Sequence, residues 1–283
     1  MAIKAIQQIM LGTVTRTERE AAETLKRIKK AGYDGIELNS FMINHTPFIV
    51  RFLTKMAGMP VGKGGNFNWK RLVNDAGLSV TGIHTDLGGL ERDMDNAVSE
   101  AKKYGTDKLI ITGMYRFNYS DKAEVVKLAK RLNEAGKRLK EVGITLCYHN
   151  HNVEFLKPDG ERTVIDILIE ETEASNLYFE PDTYWAAEAG VDTIGFLEKL
   201  RGRIKLYHIN DRGTKLAKPP LTPILKSDSM ELGYGNMPLN RLVDISLSEN
   251  ADAVVLESHK NWPEKSPLLS MEKSADFMNK YVR

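Results

Sequence analysis

The sequence predicts an α/β fold of the closed, parallel kind: a single (β/α)8 TIM barrel. Three observations carry this. Eight short apolar stretches are each followed by helical sequence, and that alternation, with no block of hairpins, calls for a parallel sheet with helices outside it. The chain has 283 residues, about 35 per unit, near the ~250 typical of this barrel. The rival is an open, doubly wound sheet, which wants a glycine-rich turn after its first strand. Met10-Leu11-Gly12-Thr13 does not supply G-x-G-x-x-G.

The first strand is read at 3–9, with Gln7 and Gln8 near its end. Thr17-Glu18-Arg19-Glu20 is a capping box, a hydroxyl at the N-cap and a carboxylate three residues on. The helix it opens puts Ala21, Leu25 and Ile28 on one face and stops at Gly32. Residues 33–38 form the second strand, ending near Glu37. Between 40 and 73 the pattern loosens. Pro47 precedes a short amphipathic run (Phe48, Phe52, Leu53, Met56). Gly62-Lys63-Gly64-Gly65 reads as a flexible turn, lacking the order and the Ser/Thr of a phosphate loop. A helix at 68–76 closes at Gly77, and the third strand, 78–83, delivers His84 with Asp86 close behind.

A helix at 93–104 ends at Gly105, and 108–112 is the fourth strand. The long helix 121–142 aligns Val125, Leu128, Ala129, Leu132, Ala135 and Leu139, with Gly143 after it. The fifth strand, 144–147, runs into Tyr148-His149-Asn150-His151-Asn152-Val153-Glu154-Phe155. A helix at 162–172 turns Val164, Ile165, Leu168 and Ile169 inward. Strand 177–179 leads to Glu180 and Asp182. A helix capped by Asp192 runs to Leu200, and 204–209 is the seventh strand. Residues 212–237 read as one long loop holding Pro219, Pro220 and Pro223. Pro238 opens a helix to about Glu249, 253–256 is the eighth strand, and 267–280 is a closing helix. No domain boundary and no low-complexity segment interrupts this order, so 1–283 is read as one domain.

Composition narrows the function classes. Hydrophobic residues make up 42%, ample for a sizeable core. Forty basic and 38 acidic residues leave a formal charge of +2, which calls for neither nucleic acid nor an anionic membrane. The single cysteine, Cys147, excludes an intramolecular disulfide framework and reads as a buried, inert thiol. The N-terminal stretch lacks a signal-peptide pattern, and no apolar run approaches ~18 residues. A cytoplasmic protein is expected.

In this barrel the chemistry sits at the C-terminal ends of the strands. Those ends carry Gln8, Glu37, His84, Thr112, His149 with His151 and Glu154, Asp182, His208 with Asp211, and Glu257 with His259. Five of the six histidines (His84, His149, His151, His208, His259) fall there, and only His45 lies elsewhere. Carboxylates brought together repel unless some protonate or a cation intervenes. Mixed oxygen and nitrogen donors suit Mn2+, Zn2+, Co2+ or Fe2+ better than Ca2+. No H-E-x-x-H is present, so a helix-borne zinc protease site is not indicated.

Six stretches in order carry a family resemblance over nearly the whole chain: Tyr33-Asp34-Gly35-Ile36-Glu37, the segment 148–155, Asp182-Thr183-Tyr184-Trp185 with Ala189-Gly190, His208-Ile209-Asn210-Asp211, Leu232-Gly233-Tyr234-Gly235-Asn236, and Glu257. The sequence resembles the xylose isomerase-like TIM-barrel superfamily, in its sugar phosphate isomerase/epimerase group. The resemblance implies carbohydrate metabolism and one divalent ion, Mn2+ first, with Zn2+, Co2+, Mg2+ or Fe2+ as alternatives. It implies proton abstraction beside a carbonyl of a sugar or polyol through a metal-stabilised enediolate. It places Asp182, His208 and Glu257 at three ligand positions. At the fourth the chain departs from the family, with His149 where a glutamate is usual. Glu154 is read as that ligand, with His149 as the acid/base and Glu257 and Glu154 sharing the catalytic work; the reverse assignment of His149 and Glu154 is the alternative. Glu37, His84, His151, Trp185 and Lys215 are candidate substrate contacts. A dehydratase or lyase acting on an inosose or keto-sugar is the second reading. An abasic-site endonuclease and a non-catalytic sugar-binding barrel stand behind it. The family's habit of forming oligomers suggests a homo-oligomer, with 41–69 as a candidate interface.

Overall fold

A computed structural model describes residues 1–44, 67–215, 219 and 221–283. The amphipathic run after Pro47, the glycine turn at 62–65, His45 and most of the proposed interface segment lie outside the described residues. Ten strands are described: β1 Ile3–Gln7, β2 Gly35–Asn39, β3 Ser79–Thr85, β4 Lys108–Thr112, β5 Thr145–His149, β6 Tyr178–Glu180, β7 Leu206–Ile209, β8 Asp211–Gly213, β9 Asp228–Met230 and β10 Ala253–Leu256. Eight of them form one parallel sheet in the order β6-β5-β4-β3-β2-β1-β10-β7. Its outer strands rejoin through the parallel bridges Phe179 to Ile204 and Asp182 to His208, closing the barrel. The fold is therefore the expected (β/α)8 barrel.

Closure follows from the sequence pattern. Strands buried on both faces read as apolar runs, and each crossover returns through a helix. The capping box at Thr17 forms as read, and the helix Glu18–Ala31 ends at Gly32, which adopts φ 100°. The barrel interior is plugged by Ala5, Ile110, Cys147, Leu206, Ala253 and Val255. Burial raises the Cys147 thiol well above its ordinary pKa, which keeps it un-ionised. A larger cluster, including Leu25, Ile28, Leu128, Leu132 and Leu139, fills the layer between strands and helices. Among the described residues no helix is long and apolar enough to cross a membrane.

Three local features differ from the sequence reading. The first strand stops at Gln7 because its own side-chain oxygen accepts the Ile9 N–H and starts a 3-10 turn, Gln8–Leu11. The stretch 212–237 is not all loop: β8 and β9 pair antiparallel at the mouth. Their three-residue length leaves no alternation to detect. Asp86 and Asp182 cap helices, Leu87–Arg92 and Thr183–Glu188, that follow their strands with almost no loop.

Candidate metal centre at the carboxyl end of the barrel

Side chains two apart on a strand share a face. Cys147 belongs to the interior plug, so His149, two residues on, also points inward at the end of β5. By the same rule Glu180 and Asp182 both turn inward, with Glu180 about 7 Å deeper along the strand. His208 lies within β7 and Glu257 one residue beyond β10.

Four of these side chains meet. His149, Asp182, His208 and Glu257 are all buried, and one donor atom from each lies within 4.8 Å of the others. His208 Nδ1 stands 2.9 Å from Glu257 Oε2, and His149 Nε2 stands 4.0 Å from the same oxygen. Two donors bonded to one ion at about 2.1 Å sit roughly 3 to 4.2 Å apart, so this group has the dimensions of a coordination shell. Asp182 also caps its helix, Oδ1 accepting the N–H groups of Tyr184 and Trp185.

A second buried group lies deeper: Glu37, His84, Glu180 and His208. Its spacing is tighter. Glu37 Oε1 is 2.6 Å from His84 Nε2 and 2.7 Å from His208 Nε2. Glu180 Oε2 is 3.2 Å from His84 Nε2, 3.2 Å from His149 Nδ1 and 3.3 Å from His208 Nε2. The shortest of these are hydrogen bonds, too close for two ligands of one ion. Gln7 Nε2 adds a donor to Glu37 Oε1 at 3.2 Å, and Thr112 Oγ1 holds His84 Nδ1.

The electrostatics follow from burial and from this crowding. Burial, then the charge of Glu37, pushes Glu180 up to about 8. Burial, then Glu257, pushes Asp182 up to about 7. Burial works against ionisation of Glu37 as well, yet the His208 and His84 imidazoles hold it well below the usual carboxylate range. His84 would be lowered by burial, but Glu37 and Glu180 raise it to about 9. Burial, then the charge of His208, lowers His149 well below its ordinary value. Within the set of His149, Asp182, His208 and Glu257, burial, and after it the charge of Glu257, favours the protonated form of Asp182. Burial would raise Glu257 too, but His259 and His208 hold it below the usual carboxylate range; a divalent cation would relieve that conflict. With two imidazoles and two carboxylates, the residues present fit such an ion.

The other candidates are placed as follows. Glu154 is buried in the 3-10 turn Val153–Phe155 and belongs to neither group. Its Oε1 accepts the Tyr148 hydroxyl at 2.8 Å and its Oε2 the His151 N–H at 2.8 Å. His151 packs its ring on His149 and Trp185, with centroids 5.2 and 5.5 Å away, and burial lowers it to about 4. Trp185 lies between His151 and His259, and its buried indole N–H has no hydrogen-bond partner. Lys215 ion-pairs with buried Glu231 at 3.1 Å and donates to the Asn261 carbonyl at 2.7 Å, so its ammonium is engaged in the loop. Glu37 is fully buried among imidazoles. Glu180 was not singled out from the sequence as a site residue. The signal was present in its alternation with Asp182.

A family model for the xylose isomerase-like TIM barrel matches residues 25–281. The inosose dehydratase of Clostridium beijerinckii is 32% identical over 105 residues, 37% of this chain and 33% of that protein. That match thus spans about a third of the relative's length. A sugar phosphate isomerase/epimerase from Parabacteroides distasonis superposes with a TM-score of 0.76 at 19% identity, covering 99% of this chain and 94% of that one. The IOLI protein, solved with a bound zinc atom, gives a TM-score of 0.66 at 15% identity over 99% of both chains. At such identities the two structures speak to the fold alone.

Proposed function

The chain belongs to the xylose isomerase-like TIM-barrel family, and from that premise we propose a divalent-metal-dependent isomerase or epimerase that abstracts a proton beside the carbonyl of a small sugar or polyol-derived ketone. The observation that carries this is the buried convergence of His149, Asp182, His208 and Glu257 at the carboxyl end of the barrel. An ion bound there supplies Lewis acidity, polarising the carbonyl so that the neighbouring C–H becomes acidic. Two imidazoles among the donors favour Zn2+, Co2+ or Mn2+ over Mg2+.

In this reading His149, not Glu154, completes the ligand set. The support is that both Glu154 oxygens are already engaged by Tyr148 and the His151 N–H. Glu154 then shapes the turn that carries His151. His151, whose ring packs on His149 and Trp185 beside the centre, is the group proposed to move the proton. His259, with Nε2 3.5 Å from Glu257 Oε1, is a second imidazole near the same centre. Trp185, between the two rings, offers its indole face and its unpartnered N–H to a polyol.

A dehydratase acting on an inosose or keto-sugar shares the first proton abstraction and differs in expelling a β-hydroxyl. The identity to inosose dehydratase favours it as the second reading. Calorimetric titration with Zn2+ or Co2+ tests the common core. One ion per chain is expected, with binding lost in His208→Ala; a wild-type protein that binds neither ion would remove both readings. Incubation of the loaded protein with keto-sugars and inososes in D2O then separates them. Exchange with recovery of an isomer supports the first, and loss of water supports the second.

A further inference from the structure

The ladder between β5 and β6 ends with His149 opposite Glu180. Asp182 lies two residues further on and is buried, as is Asn150, so its main-chain N–H and C=O still need partners. The Asn150 side chain supplies both: Oδ1 accepts the Asp182 N–H at 3.0 Å, and Nδ2 donates to the Asp182 carbonyl at 3.2 Å. A backbone N–H can only donate and a carbonyl can only accept, so this pairing admits one orientation of the amide. The same Nδ2 also donates to the His151 carbonyl at 3.3 Å. The other flank of this stretch is held by β7, where the His208 N–H donates to the Pro181 carbonyl at 3.0 Å and Asp182 bridges to His208. The Asn150 amide thus serves as one more rung between β5 and β6, past the last main-chain pair.

We propose that Asn150 is a positioning residue: its amide clasps the main chain of Asp182 and so sets the spacing of the Asp182 carboxylate from its own neighbour His149, while its bond to the His151 carbonyl ties the turn that carries His151 to the same point. This deepens the cation reading and rests on it for its purpose, though not for its geometry. No titratable group makes the clasp, since both of its partners on Asp182 are main-chain atoms. The Asp182 side chain follows that main chain closely, because Oδ1 is held by the N–H groups of Tyr184 and Trp185 just beyond it. Groups that orient a ligand from behind typically contribute roughly 10- to 100-fold in metal affinity.

The test uses the full chain as wild type, Asn150→Ala, Asn150→Leu and Asp166→Asn. Amide hydrogen exchange of the metal-free protein reads the clasp directly. The Asp182 N–H is expected to exchange slowly in the wild type and faster in Asn150→Ala. Competition titration with Co2+ is expected to show a roughly 10- to 100-fold weaker site in Asn150→Ala, with a changed visible spectrum of the bound ion. Asn150→Leu keeps nearly the same volume without either bond, and gives the same comparison should the alanine variant not fold. Asp166→Asn, a helix-cap change on the outer layer, lowers stability without touching the clasp and is expected to keep wild-type Co2+ affinity. An Asp182 N–H that exchanges as fast in the wild type as in Asn150→Ala overturns the proposal. So does Co2+ affinity that is unchanged in both Asn150 variants, or that falls equally in Asp166→Asn. If the wild type binds no Co2+, the cation reading fails by itself, and exchange at Asp182 still decides whether Asn150 holds it.

Discussion

Replacing Gly136 by alanine opposes two physical effects of known size. Gly136 lies in the helix Lys122–Glu141 and is buried. In an exposed helix the change would stabilise by about 0.8–1.0 kcal/mol through helix propensity. Here a Cβ would stand 1.9 Å from the Asn176 carbonyl oxygen and 2.8 Å from its carbonyl carbon. A comfortable C–O approach is about 3.3 Å, so the two backbones must part by more than 1 Å. One turn earlier on the same helix, Asn133 holds that turn in place, accepting the Glu173 N–H at 2.8 Å and the Asn176 side-chain N–H at 3.2 Å. The turn cannot yield without losing those bonds. Overpacking of this kind costs about 1–3 kcal/mol, and a 1.9 Å approach to backbone puts this contact at the upper end, so about 2 kcal/mol of net destabilisation remains once the helix gain is subtracted. Asn176 leads directly into β6, which carries Glu180 and, two residues on, Asp182. Urea denaturation of Gly136→Ala against wild type should therefore show a lower midpoint, and Co2+ binding should weaken alongside it. A variant as stable as wild type, or more so, would refute the reasoning, because helix propensity would then have outweighed the contact.

Two further outcomes follow from the same contacts. Asp166 closes the capping box at Thr163 and pairs with Lys199 at 2.5 Å; burial would raise its carboxyl, but Lys199 and Thr163 pull it below its ordinary value of about 3.9. A carboxyl depressed in the folded state contributes stability that is complete above the unfolded pKa and lost as pH falls through the folded one. Asp166→Asn should thus be less stable at pH 7, with the gap narrowing below pH ~4; a gap of constant size down to pH 2 would count against the ionic part. Tyr148→Phe removes the buried donor to Glu154 Oε1 and should cost about 1–3 kcal/mol in thermal or urea unfolding; a loss below ~0.5 kcal/mol would show that Glu154 finds another donor.

Much of the barrel was legible because its signal is local. Each strand is an apolar run, each helix has its own period and cap, and the strand order follows from right-handed crossovers. The polar residues at strand ends were legible for the same reason, His84, Asp182, His208 and Glu257 among them. Even the inward aim of His149 follows from its parity with Cys147. Glu154 was harder. It lies five residues past the strand in a 3-10 turn, where no simple period says which way a side chain points. The β8–β9 hairpin escaped because two three-residue strands leave no pattern.

What the sequence determined by itself, then, was the architecture and the inventory of chemistry: eight strand-and-helix units, with imidazoles and carboxylates gathered at one end of them. What only the tertiary structure decided was who meets whom. His208 touches Glu37 from 171 positions away and Glu257 from 49, and each contact uses a different ring nitrogen. Those meetings depend on strand stagger and on the final bridges, Phe179 to Ile204 and Asp182 to His208, that close the sheet. No local period encodes them, because they exist only once the first strands and the last share one interior.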